Sequence, residues 1–380
     1  MPHRRPRSVA APGSVGDVGI AMRKSTAKTA GEAGVPPAKI LVRGPNPLGD
    51  LVMATPSFAD IRRAFPAAHI TLMVRPGRDG VVRGGDYFDE LIVDRSKAGL
   101  GYALRLTGEL SRRRFDLAIL YTNSFRTAAV IALAGIPQRV GHVKGGQALL
   151  LTRRVRPVLA SRGKWLPMPM ETIYSRLCAA VGVVASDAWP HLVVTADEEE
   201  RARTHKAALG IGVDEPLIGL APGASFGGSK LWPVGHFAAL ADRLTAHYGW
   251  RTIIFGGPGE EAIVAALAAA MQTTPAAVGG PVELDLMKPF VRDLKLLITT
   301  DAGPRHFATA FRVPTVTVMG PTDPRWSGGH VDYQEVVRHD VECGPCHLQV
   351  CPIDHHCMVD ITPDEVLARV TLLDQRLHFS

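Results

Sequence analysis

The stretch KILVRGPNPLGDLVMATPSFADIRRAF, Lys39 to Phe65, decides the fold. It opens with a short apolar run of the kind that lies inside a parallel sheet, covered on both faces. Two prolines, Pro45 and Pro47, and the pair Gly49-Asp50 follow, leading into a helical pattern over 50–64. A bare strand-to-helix connection needs only a short polar loop. This one sets a carboxylate, Asp50, outside the carboxyl end of a strand, where open α/β sheets bind ligands.

Working outward, the alternation continues. Apolar runs HITLMV, ELIVD and FDLAILY are separated by helices expected at 97–112 and 124–134, and a longer helix, METIYSRLCAAVG, is expected at 170–182. The charged stretch TADEEERARTHKAALG, 195–210, reads as a helix that connects two halves and ends at Gly210. The pattern then restarts with PLIGLAPG, WRTIIFGG, LKLLITT and PTVTVMG, with helices near 235–247, 260–271 and 303–311 between them. A Cys/His-rich segment and a closing helix from TPDEVLARV complete the chain. Strands alternating with helices imply parallel sheets covered on both sides. The expected class is therefore α/β, with two doubly wound domains facing a central cleft. The expected divisions are a basic tail over 1–37, a first domain over 38–195, a linker over 196–215, a second domain over 216–361 and a C-terminal helix over 362–380.

At 380 residues the chain is long enough for two cores. Its 46% hydrophobic and 21% charged residues are ordinary for a soluble globular protein. Of the net charge of +7, residues 1–37 hold +4: Arg4, Arg5, Arg7, Arg23, Lys24 and Lys28 against Asp17 and Glu32. The remainder is only mildly basic and calls for no nucleic acid. The tail is rich in Gly, Ala, Ser and Pro without a lasting hydrophobic period, and reads as disordered. Pro12, Gly13, Gly16 and Asp17 interrupt any signal-peptide core. No run approaches the about 20 apolar residues that span a bilayer. A cytoplasmic protein is expected, with contact at a membrane surface left open.

Four strand-end clusters carry the chemistry. Asp50 can serve as a general base facing the cleft, or simply cap its helix. APGASFGGSKLWP, 221–233, exposes backbone N–H groups and adds the compact charge of Lys230, a combination suited to a diphosphate. It is not a P-loop, because Ser229 intervenes before Lys230 and LWP follows where the helix should begin. In LLITTDAGPRHFATA, 296–310, a strand ends at Asp301 and a helix starts near Gly303, with Pro304 in its first turn. Alone, Asp301 could be a cap and His306 a packed core residue. In FGGPGEEA, 255–262, Glu260 can accept from ribose hydroxyls or favour the helix start electrically. No G-x-G-x-x-G follows either half's first strand, which argues against a nicotinamide dinucleotide. The echo GSVGDVG at 13–19 has no strand before it to build a site.

These segments, together with TTDAGPRHFATAFRVPTVTVMGPTDP and CGPCHLQVCPIDHHCMVDITPDEV, resemble the ADP-heptose:lipopolysaccharide heptosyltransferases, most closely the heptosyltransferase II branch, in order from about residue 39 to 375. The resemblance implies a GT-B fold, and inverting, metal-independent transfer from ADP-L-glycero-β-D-manno-heptose to the lipid-linked inner core, with no cofactor. Asp50 resembles the catalytic base and Lys230 the residue facing the diphosphate. Ser225, Glu260, Asp301, Gly303 and His306 match donor-binding positions. Phe226 and Arg305 depart from the usual pattern. TNSFRTAAVIALAGIPQRVGHVKGG resembles the acceptor segment, making Arg126, Arg139 and Lys144 candidates for anionic core sugars, with solvated surface charge as the alternative. Arg153, Arg154 and Arg156 are candidates for an anionic bilayer, which would set the protein at the cytoplasmic face of the inner membrane.

Cys343, Cys346, Cys351 and Cys357 fall near His347, His355 and His356, a spacing that can bind zinc or remain as reduced, packed thiols. Cys178 reads as a core residue. Two other functions stay open: the same fold with a different sugar or acceptor, and a nucleotide-sugar-binding protein without transferase activity. The second has no use for a base.

Overall fold

The computed structural model describes residues 35–95, 99–160, 165–279 and 284–379. The tail expected over 1–37 lies outside them up to residue 34, as does the start of the helix expected over 97–112. The first sheet contains β1 (Lys39–Arg43), β2 (His69–Val74), β3 (Glu90–Val93), β4 (Leu117–Leu120), β5 (Gln138–His142) and β6 (Arg153–Val155). The second contains β7 (Leu217–Ala221), β8 (Arg251–Ile254), β9 (Ala277–Val278), β10 (Leu296–Thr300), β11 (Thr315–Val318) and β12 (Gln334–Val337). Their orders are β3-β2-β1-β4-β5-β6 and β12-β11-β10-β7-β8-β9, and neighbours pair in parallel. Counted from its own first strand, the second sheet repeats the order of the first. This is the doubly wound, two-domain α/β architecture expected from the sequence.

In this strand order ligands bind where the winding reverses, beyond the carboxyl ends of the central strands. Those points fall between β1 and β4 and between β7 and β10. The segments carrying Asp50, Lys230 and Asp301 leave β1, β7 and β10, so the topology alone places all three at reversal points.

The first half's helices are α1 (Leu48–Ala64), α2 (Asp79–Val82), α3 (Leu100–Arg113), α4 (Phe125–Leu133) and α5 (Met170–Ala179). α6 (Ala196–Ala208) follows, then α7 (Val234–Tyr248), α8 (Glu261–Ala270), α9 (Leu284–Arg292), α10 (Gly303–Phe311), α11 (His356–Val359) and α12 (Pro363–Leu377). Strands β5, β6, β9 and β12 and helices α2, α9 and α11 were not foreseen. β6 and β12 are sheet edges with polar sequences, RRV and QEVV, and β9 has only two residues. α9 carries Pro289 inside it, which ordinarily argues against a helix.

Ile40 and Val42 point to one side of the first sheet and Leu41 to the other, so both faces are packed. One core continues from Leu51, Phe58 and Ile61 of α1 to Phe307 of α10 and Met287 and Phe290 of α9, joining the halves through apolar surface. Beside it lies an ion pair sealed from water. Lys288 Nζ is 2.9 Å from Glu198 Oε2, with both side chains at 0% exposure, and it also donates to the carbonyls of Arg83 and Val193 at 3.0 and 2.6 Å. Glu198 closes a capping box with Thr195 at the start of α6. The charged helix read as a connector is thus anchored to α9, with Lys206–Asp293 and Arg292–Glu199 as further ion pairs. Lys288→Ala strands the Glu198 charge in this interior, so a loss of about 3–5 kcal/mol is expected. A urea midpoint unchanged from wild type would refute that assignment.

Candidate active site

The turn after β1 is held by Arg43, itself buried. Its Nη1 donates to the Gly44 carbonyl at 2.6 Å, and its Nη2 reaches Asn46 Oδ1 at 3.0 Å and Asp94 at 3.5 Å. Pro47 occupies the N-cap of α1, without a side-chain cap. Asp50 therefore sits inside the first turn and does not cap it. Burial raises its pKa to about 6, opposed by the Tyr174 hydroxyl and the Lys230 ammonium and reinforced by Asp301. A carboxyl group poised there is mostly ionised at neutral pH yet basic enough to take a proton.

Gly49 is required for close approach. A Cβ at that position would lie 2.3 Å from Cδ2 of His306 on α10. The His306 ring thus wedges the second half against the Gly-Asp turn of the first. Burial, with Arg305 and Lys230 nearby, lowers its pKa to about 3 despite Asp301, so it packs as a neutral ring.

Lys230 ends a short helical turn, Gly228–Lys230. Its Nζ donates to Asp301 Oδ2 at 2.6 Å and to the Asp301 carbonyl at 2.8 Å, and lies 4.9 Å from the Phe226 ring centroid. Phe226, one of the two departures noted from the sequence, thus covers the ammonium. Arg305, the other, is buried and fully engaged, with Gln334 Oε1 at 3.0 Å, Ser327 Oγ at 2.8 Å and Asp301 Oδ1 at 3.3 Å. Burial alone would raise the Asp301 carboxyl. Lys230 and Arg305, with the Thr322 hydroxyl at 2.7 Å, hold it well below the usual range. Its oxygens are spent on these partners, so it orients Lys230. Ala302, not Asp301, is the N-cap of α10; no side chain caps that helix, and Pro304 lies in its first turn, leaving the N–H groups near Gly303 available to an anion.

Glu260 Oε2 accepts from the Gly257 N–H at 2.8 Å. A Cβ on Gly223 would lie 2.1 Å from its carboxyl carbon, so the 221–230 and 255–262 segments interlock through that glycine. Ser225 is exposed on the former.

The structure thus gathers Asp50, Lys230, Asp301, Gly303 and His306 around the junction of the halves, with Glu260 beside the Lys230 loop. Two of the acceptor candidates, Arg126 and Lys144, follow the carboxyl ends of β4 and β5, and the third, Arg139, does not. Arg126 donates to the Gly99 carbonyl at 2.8 Å, and exposed Lys144 sits 5.7 Å from the Trp165 ring. Arg139 lies near the start of β5, at the opposite edge from the strand ends, with its guanidinium bound to the Ile136 and Leu150 carbonyls.

Two site residues escaped the sequence reading, Glu171 and Tyr174. They stand three apart on α5 and so share a face. The motif was visible in METIYSRL, but nothing local placed that helix beside Asp50.

The Cys/His segment has a definite mechanical relation to the site. Ser229, next to Lys230, donates through N–H to the Gln349 carbonyl at 3.0 Å and through Oγ to the Leu348 carbonyl at 2.5 Å, and its own carbonyl meets His355 Nε2 at 2.6 Å. The segment therefore braces the Lys230 loop. All five cysteines are free thiols; Cys178 and Cys357 are buried. Among the described residues no group of three or more His, Cys, Asp or Glu side chains is arranged to hold a metal ion.

The profile described as glycosyltransferase family 9 (heptosyltransferase) matches residues 103–356. The chain is 30% identical over 355 residues to lipopolysaccharide heptosyltransferase 2 of Escherichia coli, spanning 88% of this chain and 98% of that one. It is 27% identical over 351 residues to lipooligosaccharide heptosyltransferase 2 of Haemophilus ducreyi, spanning 88% and 99%. The solved structure of E. coli ADP-heptose LPS heptosyltransferase II superposes with a TM-score of 0.72 at 26% identity, covering 88% of this chain and 98% of that chain.

Proposed function

This chain belongs to glycosyltransferase family 9, the heptosyltransferases, and from that premise we propose that it transfers a heptose from ADP-L-glycero-β-D-manno-heptose to the lipid-linked inner core of lipopolysaccharide, with inversion. The observation that carries the reading is the partly buried Asp50 carboxyl facing the Lys230–Asp301 pair across the junction of two doubly wound halves.

In this mechanism the first half, over 38–195, receives the acceptor and the second, over 216–361, the ADP-sugar, joined through 196–215. Asp50 takes the proton from an acceptor hydroxyl as that oxygen attacks the anomeric carbon. The bond from that carbon to the diphosphate oxygen breaks on the opposite face, and its electron pair leaves with ADP. Lys230 and the N–H groups near Gly303 meet the growing charge. Glu260 is assigned to the ribose hydroxyls and Ser225 to the donor loop, while His306 holds the two halves in register. Burial of the site favours transfer over hydrolysis.

The acceptor is lipid-linked, so the reaction is assigned to the cytoplasmic face of a membrane. No described helix is long and apolar enough to cross one. Exposed Arg153, Arg154 and Arg156 support contact with anionic headgroups there.

The test is ADP release across a panel of donors and acceptors. Release is expected from ADP-heptose with a heptosylated core acceptor, unaltered by a chelator, and absent with UDP- or GDP-sugars. Tight ADP-heptose binding with no release on any acceptor would replace this reading with a binding protein.

A further inference from the structure

Glu171 has no place in the mechanism above, yet it is the most unusual carboxyl group near the site. It lies in the first turn of α5, one turn before Tyr174, whose hydroxyl faces Asp50. Its Oε2 is sealed from solvent and has no hydrogen-bond partner among the described residues. The second half closes over it at Gly329, where a Cβ would stand 3.5 Å from that oxygen. The Arg305 guanidinium is close enough to act on it electrostatically, but its donors go to Asp301, Ser327 and Gln334. Burial raises the Glu171 pKa to about 7, against its own backbone N–H and Arg305 and with the Asp50 charge adding.

A buried acceptor atom without a donor is costly and needs a reason. Arg305, the cation that acts on Glu171 electrostatically, spends its donors elsewhere and leaves Oε2 unpaired. Sugar rings present hydroxyls on adjacent carbons, so an oxygen delivered to Asp50 brings a second O–H close by. We propose that Glu171 is an acceptor-binding residue: its free Oε2, held beside Asp50 at the seam of the halves, takes the hydroxyl adjacent to the one Asp50 deprotonates and so selects acceptors bearing a vicinal diol. This rests on the transferase reading and assigns one contact of its acceptor side.

The test compares wild type, Glu171→Gln and Glu171→Ala on the heptosylated acceptor and on congeners deoxygenated at each position flanking the attacking hydroxyl. Losing one charge-assisted hydrogen bond should lower acceptor kcat/KM about 10- to 100-fold in Glu171→Ala. Wild type should lose the same factor on one deoxy congener, and Glu171→Ala should lose nothing further on it. Glu171→Gln, which keeps an acceptor oxygen, should retain most activity. The KM for ADP-heptose should be unchanged, and neither variant should melt below wild type, since no existing partner is lost and burial already disfavours the Glu171 charge. The inference is overturned if the two losses multiply on every congener, or if donor KM moves with acceptor KM, as a latch between the halves would require. A wild-type arm that releases no ADP defeats the transferase reading itself, before any variant is compared.

Discussion

Asp50→Asn should abolish nearly all transfer while making the protein more stable. A positioned general base contributes about 10²–10⁴-fold, and an amide of the same shape cannot accept the proton. A fall of that size in kcat/KM is expected, with donor binding retained. The stability change follows from the raised pKa. Burial favours the neutral carboxyl, so the folded value, about 6, lies above the ordinary aspartate value of 3.8. The associated stability is fully present below about pH 4 and is lost as pH rises through 6. At about 1.4 kcal/mol per unit, the variant should exceed wild type by at most about 3 kcal/mol at pH 8, with the difference vanishing near pH 4. Wild-type kcat/KM should fall tenfold per pH unit below 6, since the base must be ionised. Burial sets that limb, with Tyr174 and Lys230 lowering it and Asp301 raising it. Near-normal turnover by Asp50→Asn, measured as ADP release, removes Asp50 as the base.

Lys230→Ala should be comparably inactive with the opposite effect on stability. Removing one preorganised charge from a developing anion costs about 10²–10³ in kcat. It also deprives Asp301 of its nearest cation, 2.6 Å away in a pair whose side chains are only 11% and 13% exposed. Breaking a buried pair costs about 3–5 kcal/mol, and Arg305 and Thr322 remain on Asp301, so the loss should fall below that range. Asp301 is depressed in the wild type, so its contribution is present above the unfolded pKa and is lost as pH falls through the folded one. Without Lys230 that loss begins at a higher pH, and the acid-unfolding midpoint should rise. Two inactive variants displaced in opposite directions by urea would separate a base from a charge clamp. Equal displacement would remove the electrostatic assignment of both.

The departures noted in the sequence prove informative. Phe226 and Arg305 looked like mismatches to donor binding when each was judged by its own position. In the fold, one covers the Lys230 ammonium and the other holds Asp301, so both act on the same lysine. Arg139 shows the reverse. It sat in a segment resembling an acceptor region, but lies near the first residues of its strand, and strand ends of opposite sense face opposite edges of a parallel sheet.

Strand and helix alternation, the Gly-Asp turn, the lysine loop and the Asp-x-Gly-x-x-His segment are short-range patterns, governed by periodicity and backbone freedom within a few residues. These the amino-acid order determined unaided, and with them the α/β class and the placing of the candidate site at strand ends. It could not determine that α5 delivers Tyr174 and Glu171 to a carboxyl group more than a hundred residues earlier, that His306 fills the space left by Gly49, or that the Cys/His segment grips Ser229. Nor could it set the state of Asp50, because a carboxyl group's pKa depends on how much water is excluded and which charges converge on it. Both are products of packing between the halves, where distance in sequence carries no information about distance in space.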